Sequence, residues 1–279
     1  MTWKIEIGTS VLYGIQDGRS TRDPHAALIG STPEAWHGYE HFLNEDGTLP
    51  NSFSCYLFDT GADLVMIDSG FGMNAPDGTD AGNMPAALAA LDISPADVDH
   101  VVFTHLHPDH ILGSLNQDQA PLFANAAHWT LAREVEHWRA QTDERSQGIV
   151  RVASTLHGAG VLQAVDEPGP VTSGVTTVAT YGHTPGHTAV RVSSGDDAVL
   201  LAGDVTFSPI QIHYTDWAFP LDVDKEAASV TRAAFFDELA ESGVPFVAGH
   251  YDQPGYGRVL VTSEGRTYEA LPVEQMHTT

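Results

Sequence analysis

Positive charge is scarce in this chain. Lys and Arg number 12 against 37 Asp and Glu, a formal net charge of −25. Such a surface repels phosphate backbones and anionic lipid headgroups, which excludes nucleic acid and membrane surfaces as natural partners. The same excess can keep the protein solvated or fit it to high salt, where self-repulsion is screened. Cysteine is nearly absent. Cys55 alone rules out an internal disulfide, and its run Ser54-Cys55-Tyr56-Leu57-Phe58 gives it the setting of a small buried hydrophobe. No stretch approaches 18 uninterrupted apolar residues, and the first residues lack a basic segment followed by an apolar one. The expected setting is the cytoplasm. Gly/Ser linkers, low-complexity tracts and solenoid-period repeats are also missing, so one domain over 1–279 is expected.

Against these absences stand 15 histidines. Imidazole is the commonest protein ligand for metals and titrates near neutral pH, so their spacing matters more than their number. Short apolar or alternating runs over 3–16 and 52–68, with turn pairs at Asp17-Gly18 and Thr60-Gly61, read as antiparallel strands. The polar 20–50 stretch is too long for an ordinary connection and reads as an active-site lid insert. Residues 85–91 and 126–141 carry helical patterns, as does 222–242 up to the stop at Gly243-Val244-Pro245. Val101-Val102-Phe103, 198–202 and Phe246-Val247-Ala248 have the length of buried strands, with a further strand at 258–261. Two sheets with helices outside is the simplest packing for this order.

Thr104-His105-Leu106-His107-Pro108-Asp109-His110 leaves the strand at Val101-Val102-Phe103 with three imidazoles and a carboxylate in six positions. In extended backbone, residues two apart point the same way, so His105 and His107 can grip one ion. The turn at Pro108 can swing Asp109 and His110 toward a second. A lone His-x-His is often only a polar surface run, but this density directly after a strand is not.

The His-x-His-x-Asp-His run resembles the signature of the metallo-β-lactamase superfamily. The resemblance implies an α/β (α+β) fold, a four-layer αββα sandwich of mixed sheets with helices outside and metals at one edge. Further matches follow in order. Gly182-His183-Thr184-Pro185-Gly186-His187 resembles the second motif, with His183 as ligand and His187 in support. Ala202-Gly203-Asp204 resembles the family's bridging carboxylate, and Ala248-Gly249-His250 its last ligand. Val65-Met66-Ile67-Asp68-Ser69-Gly70 resembles the aliphatic-Asp-Ser-Gly turn, whose aspartate supports the site. The resemblance thus gives His105, His107 and His183 to one ion and Asp109, His110 and His250 to another, with Asp204 between them.

Two divalent ions roughly 3.5–4 Å apart can hold a hydroxide, lower its pKa and polarise a substrate carbonyl or phosphoryl oxygen. Asp109 and Asp204 are then the catalytic carboxylates, and Asp109 has a second possible task in moving a proton. Zinc is the default ion; manganese, iron and cobalt suit the same ligands. The segment after Asp204 and the ending Gly249-His250-Tyr251-Asp252 resemble the branch of N-acyl homoserine lactonases and methyl parathion hydrolase-like enzymes, which implies a lactone, ester or phosphotriester as substrate. A tyrosine usual in such lactonases is replaced here by Phe207, which donates no hydrogen bond. Phe207, Ile210, Trp217 and Phe219, with Ile212, are expected to rim a pocket for a hydrophobic small molecule, with about half of such aromatics packing a core or a homodimer interface instead. His213, near the same loop, is the remaining histidine that could face substrate. Alternatives are a β-lactamase, a glyoxalase II-like thioester hydrolase, a mono-iron persulfide dioxygenase-like oxidoreductase, or a binding module without chemistry. The scarcity of basic side chains disfavours the anionic glutathione thioester.

Overall fold

A computed structural model describes residues 1–263 and 265–276. The first sheet has eight strands, in the order Glu274–Met276, Thr2–Ile7, Ser10–Arg22, Leu49–Asp59, Leu64–Ile67, His100–Val102, Ala127–Leu131 and Leu162–Val165. The last four of these run parallel, the rest antiparallel. The second sheet orders Gly265–Ala270, Tyr256–Thr262, Phe246–Val247, Asp197–Leu201, Thr188–Ser194, Val175–Ala179 and Pro170–Thr172.

Alternation along the strands decides the layers, because successive side chains leave opposite faces. Tyr56 and Phe58 point inward, where they meet Val190, Val192 and Leu201 of the second sheet. Cys55 and Leu57 point outward and are covered by the helices Met84–Ala90 and Glu144–Gly158 through Leu88, Ile149 and Val152. On the far side, Phe235, Phe236 and Leu239 of helix Lys225–Ser242 cover Leu200 and Phe246. The result is helix, sheet, sheet, helix, the expected αββα order. Cys55 is fully buried, as its apolar run suggested.

Two local expectations fail. Asp17-Gly18 is not a turn but a bulge inside the strand Ser10–Arg22, where the register shifts between Gln16 and Gly18. Asp17 is fully buried, and its carboxylate accepts from the backbone N–H groups of Phe71, Gly72 and Met84. Burial pushes its pKa up while these bonds pull it down. Asp and Gly suit bulges as well as turns; the turn that opens this strand lies directly after Ile7, at Gly8-Thr9. The helical pattern over 126–141 likewise splits: Ala127–Leu131 is a strand paired in parallel with His100–Val102, and the helix begins at Ala132. Trp129 and Thr130 favour strands, against the helical spacing of the residues that follow.

The 20–50 stretch is not structureless. It holds a short helix at Pro24–Ala27 and 3₁₀ turns at Pro33–Trp36 and Glu40–Phe42. Leu28, Trp36 and Leu49 pack with Phe207, Ile210, Trp217 and Phe219, so the segment is seated on the loop after Asp204.

Gly18 admits no larger residue, since a Cβ would lie 2.3 Å from the Asp80 carbonyl oxygen and 2.4 Å from the Ala81 Cβ. Gly18→Ala should therefore destabilise the fold by about 1–3 kcal/mol, read as a fall in denaturant midpoint with unchanged slope. An unaltered midpoint would mean that the bulge is not held as described.

Candidate metal centre

The parallel strands Leu64–Ile67 and His100–Val102 of the first sheet, and Asp197–Leu201 and Phe246–Val247 of the second, deliver their C-terminal ends to one edge of the sandwich. The loops there carry Asp68, the His105–His110 run, Asp204 and His250, and the loop between Val175–Ala179 and Thr188–Ser194 adds His183. Ligand-type atoms of His105, His107, His183 and Asp204 lie within 4.8 Å of one another, as do those of Asp109, His110 and His250. All seven expected ligands are thus brought together in two groups.

Asp204 joins the groups. Its Oδ2 lies 3.2 Å from His183 Nε2 and 3.6 Å from His105 Nε2, while its Oδ1 lies 3.2 Å from His110 Nε2 and 3.1 Å from His250 Nε2. Asp109 Oδ2 sits 3.8 Å from His110 Nε2 and 3.7 Å from His250 Nε2. His107 Nδ1 is 2.9 Å from the Nε2 atoms of both His105 and His183.

The outer ring nitrogens show why this packing needs a cation. His110 Nδ1 donates to Asp68 and His183 Nδ1 to Asp222, each at 2.8 Å. His250 Nδ1 donates to the Ser52 carbonyl at 2.8 Å. Thr104 gives its hydroxyl proton to Asp68, so its oxygen accepts from His105 Nδ1. With these four Nδ1 atoms holding a proton, the Nε2 atoms of His105, His110, His183 and His250, together with His107 Nδ1, turn their lone pairs to the same small space. Buried lone pairs facing each other are costly unless something electron-poor lies between them. His110 Nε2 and Asp204 Oδ1 are buried with no hydrogen-bond partner among the described residues. The donor set fits divalent ions of the zinc type, with nitrogen from five histidines and oxygen from two carboxylates.

Charge follows the same logic. Burial disfavours the imidazolium at His110, but Asp204, Asp68 and Asp109 hold its pKa well above the usual histidine value. At His183 burial is likewise outweighed by the hydrogen bonds the ring donates to Asp204 and Asp222, which raise the pKa to about 9. Burial tends to raise Asp204, yet His250, His110 and His105 draw it well below the carboxylate range. Burial, with the neighbouring histidines, drives His105 and His107 well down.

The supporting residues are equally placed. Asp68 has a left-handed backbone, φ 55°, a strained conformation for a non-glycine that orients its carboxylate on Thr104 and His110. His187 Nε2 accepts the Asp204 backbone N–H at 2.9 Å, and burial lowers its pKa to about 3, so it stays neutral. Gly203 has φ 54°, and a Cβ there would stand 2.7 Å from His187 Nε2.

Three contributors escaped the sequence reading. Asp222, fully enclosed, accepts from His183 and from the Phe219 N–H, and lies 3.4 Å from buried Arg232. Arg232 in turn donates to the carbonyls of Val205, Thr215 and Trp217. Glu134, also fully buried, accepts from the Leu106 and Gly186 N–H groups and from Trp138 Nε1, tying the two ligand loops together. Nothing local in the sequence marks Asp222, Arg232 or Glu134; only tertiary convergence distinguishes them.

A cavity of about 350 Å³ opens onto Asp204, His250, His107 and Asp109. Of the expected pocket residues, Phe219 lines it. Phe207 stacks between Phe219, centroids 3.7 Å apart, and the His250 ring at 4.9 Å, and faces a neighbouring cavity. Ile210 and Trp217, expected at the rim, pack instead against Leu28 and Trp36 beneath the 20–50 segment. Ile212 is buried under helix Lys225–Ser242. His213 packs against Tyr39 with ring centroids 4.6 Å apart, away from this cavity.

The sequence profile described as the metallo-beta-lactamase superfamily matches residues 50–264, which include every ligand named above. The chain belongs to the metallo-beta-lactamase superfamily. Among superfamily relatives, a "probable metallo-hydrolase" of Mycobacterium tuberculosis is 30% identical over 65% of this chain and 67% of its own length. The N-acyl homoserine lactonase AttM of Azorhizobium caulinodans is 32% identical over 59% of this chain and 62% of its own. In architecture the chain resembles AidC, a dizinc quorum-quenching lactonase, with TM-score 0.88 at 22% identity, covering 97% of each chain. The hydrolase AbOPH superposes with TM-score 0.87 at 21% identity, covering 98% of each chain. By this membership the chain is an enzyme of the metal-dependent hydrolase class. No helix among the described residues is long and apolar enough to cross a membrane.

Because the surrounding carboxylates raise the His110 and His183 pKa values, ions must compete with protons at these rings. Only the deprotonated imidazole binds, so the apparent zinc affinity should rise as pH increases from 6 toward 9. Competition with a chelator of known affinity at each pH measures this, and a flat profile would contradict the proton assignment. Asp222→Asn replaces the anionic acceptor behind His183 with a neutral amide and should weaken metal binding about 10–100-fold, with the far-UV spectrum preserved.

Proposed function

We propose that the chain is a dinuclear metal-dependent hydrolase acting on a lactone, carboxylic ester or phosphotriester. The observation that carries this reading is Asp204, one carboxylate with an oxygen on each of two ligand groups. His105, His107 and His183 would hold one ion, Asp109, His110 and His250 the other, with Asp204 shared. Zinc is the ion the nitrogen-rich set favours, with manganese, iron or cobalt as substitutes. When bound, such a pair supplies Lewis-acid polarisation of the substrate oxygen and an activated water.

The chain's own residues do the rest. Asp68, Asp222, the Ser52 carbonyl and Thr104 hold the imidazole rings in one tautomer, so the ligand atoms need no reorganisation when substrate arrives. His187 fixes the backbone of Asp204. Asp109 is the most exposed of the ligand-type residues at the cavity, its side chain 15% exposed, and is suited to carry a proton to the leaving oxygen. Phe53, Phe71 and Phe219 give the cavity apolar walls that exclude water and receive an apolar substrate body. The 20–50 segment acts as a lid, its aromatic underside seated on the loop after Asp204. The lactonase activity named for AttM and AidC supports a lactone or ester within this class.

Zinc-reconstituted protein should hold close to two ions per chain and hydrolyse at least one member of a panel of lactones, aryl esters, phosphotriesters and β-lactams. Asp204→Ala should abolish turnover and reduce metal content, because both groups lose their common anion. A stoichiometry fixed at one after supplementation would overturn the dinuclear reading; a fully loaded protein inert to the whole panel would overturn the substrate class.

A further inference from the structure

Two cations stand at the mouth of the metal cavity: Arg22, the last residue of strand Ser10–Arg22, and Arg145, in the first turn of helix Glu144–Gly158. Six of the twelve cations pair with a carboxylate among the described residues: Lys4, Arg19, Arg133, Arg232, Arg258 and Arg266. Neither Arg22 nor Arg145 has a carboxylate within ion-pair distance among the described residues, although both are exposed enough to reach one.

Their positions cost something. Arg145 places a cation at the positive end of a helix, where an acidic residue is favoured. The two guanidinium groups also feel one another: burial and Arg22 both lower the Arg145 pKa, against the pull of Asp109, Asp143 and Asp204. Arg22 is not loose, since its Cζ lies 5.4 Å from the centroid of the Phe219 ring, itself stacked on Phe207. Neutralising the cavity floor does not explain the pair, because divalent ions in the ligand groups would outweigh Asp109 and Asp204 and leave the floor positive already.

We propose that Arg22 and Arg145 form an anion-receiving rim, and that the preferred substrate is an ester or lactone with an apolar body and a second, non-scissile carboxylate. This rests on the hydrolase reading above. The arginines are specificity residues: they hold the distal carboxylate by charge-assisted hydrogen bonds while the scissile group reaches the ligand cluster, and the apolar walls contact the chain between. The opening becomes the place where an anion overcomes the repulsion of the acidic surface.

The test compares the mono-4-nitrophenyl ester of adipic acid with 4-nitrophenyl hexanoate, esters of equal chain length that differ in the terminal carboxylate. It is run on zinc-loaded wild type, Arg22→Gln, Arg145→Gln and the double variant. Wild type should favour the adipate ester by about tenfold or more in kcat/KM, and each single substitution should lower that ratio about tenfold. High salt should shrink the preference. In parallel, calorimetry compares binding of adipate and hexanoate, which share one carboxylate for the metals and differ in the second.

If both esters are hydrolysed with equal efficiency, or the ratio is unmoved by the variants, the rim is overturned and the hydrolase reading stands. If neither ester is turned over but adipate binds about tenfold tighter than hexanoate and the substitutions erase the difference, the rim stands and the hydrolase reading falls on these substrates. Equal binding of the two acids without turnover overturns the rim as well.

Discussion

The whole edge of this protein is organised around one buried carboxylate. Asp204 is only 3% exposed and faces four imidazole Nε2 atoms, His105 and His183 on Oδ2, His110 on Oδ1 and His250 on both. A single anion placed so deeply is expensive unless compensated. The compensation comes from histidines that are themselves fixed from behind, and those fixings reach far into the fold. Asp68 stays in a strained left-handed conformation to serve His110, and Gly203 forgoes a side chain so that His187 can approach the Asp204 backbone. The strain is borne by two sheets that close over a continuous apolar interior.

Neither sheet alone holds the site. The first supplies His105, His107, Asp109 and His110; the second supplies His183, Asp204 and His250. Glu134 bridges the loops from both sides, and Arg232 draws the loop after Asp204 onto helix Lys225–Ser242 while bracing Asp222. Assembly of the sandwich and assembly of the ligand cluster are therefore one event. The mouth is a separate layer of design, set by the strand end at Arg22, the helix start at Arg145 and the seated 20–50 segment.

What the sequence could disclose followed from distance along the chain. The His105–His110 run was legible because its ligands are local and follow a strand, and the layered architecture because short apolar runs alternate with amphipathic helices. Asp222, Glu134 and the two arginines were illegible because their meaning lies in what they meet across the fold. Asp17-Gly18 shows a different failure: the same pair that signals a turn also serves a bulge, and only the buried N–H groups of Phe71, Gly72 and Met84 reveal which. Ile210 and Trp217 were read as pocket walls because an apolar loop near a ligand suggests one. They pack instead against Leu28 and Trp36 of the 20–50 segment.

The central claim is that Asp204 is shared between two ions. Anomalous X-ray diffraction at the zinc edge, from crystals of the zinc-loaded protein, tests it most directly. The account predicts two peaks flanking the Asp204 carboxylate, one bounded by His105, His107 and His183 and the other by Asp109, His110 and His250. A single peak at full zinc occupancy, or two peaks with Asp204 touching only one, would contradict it.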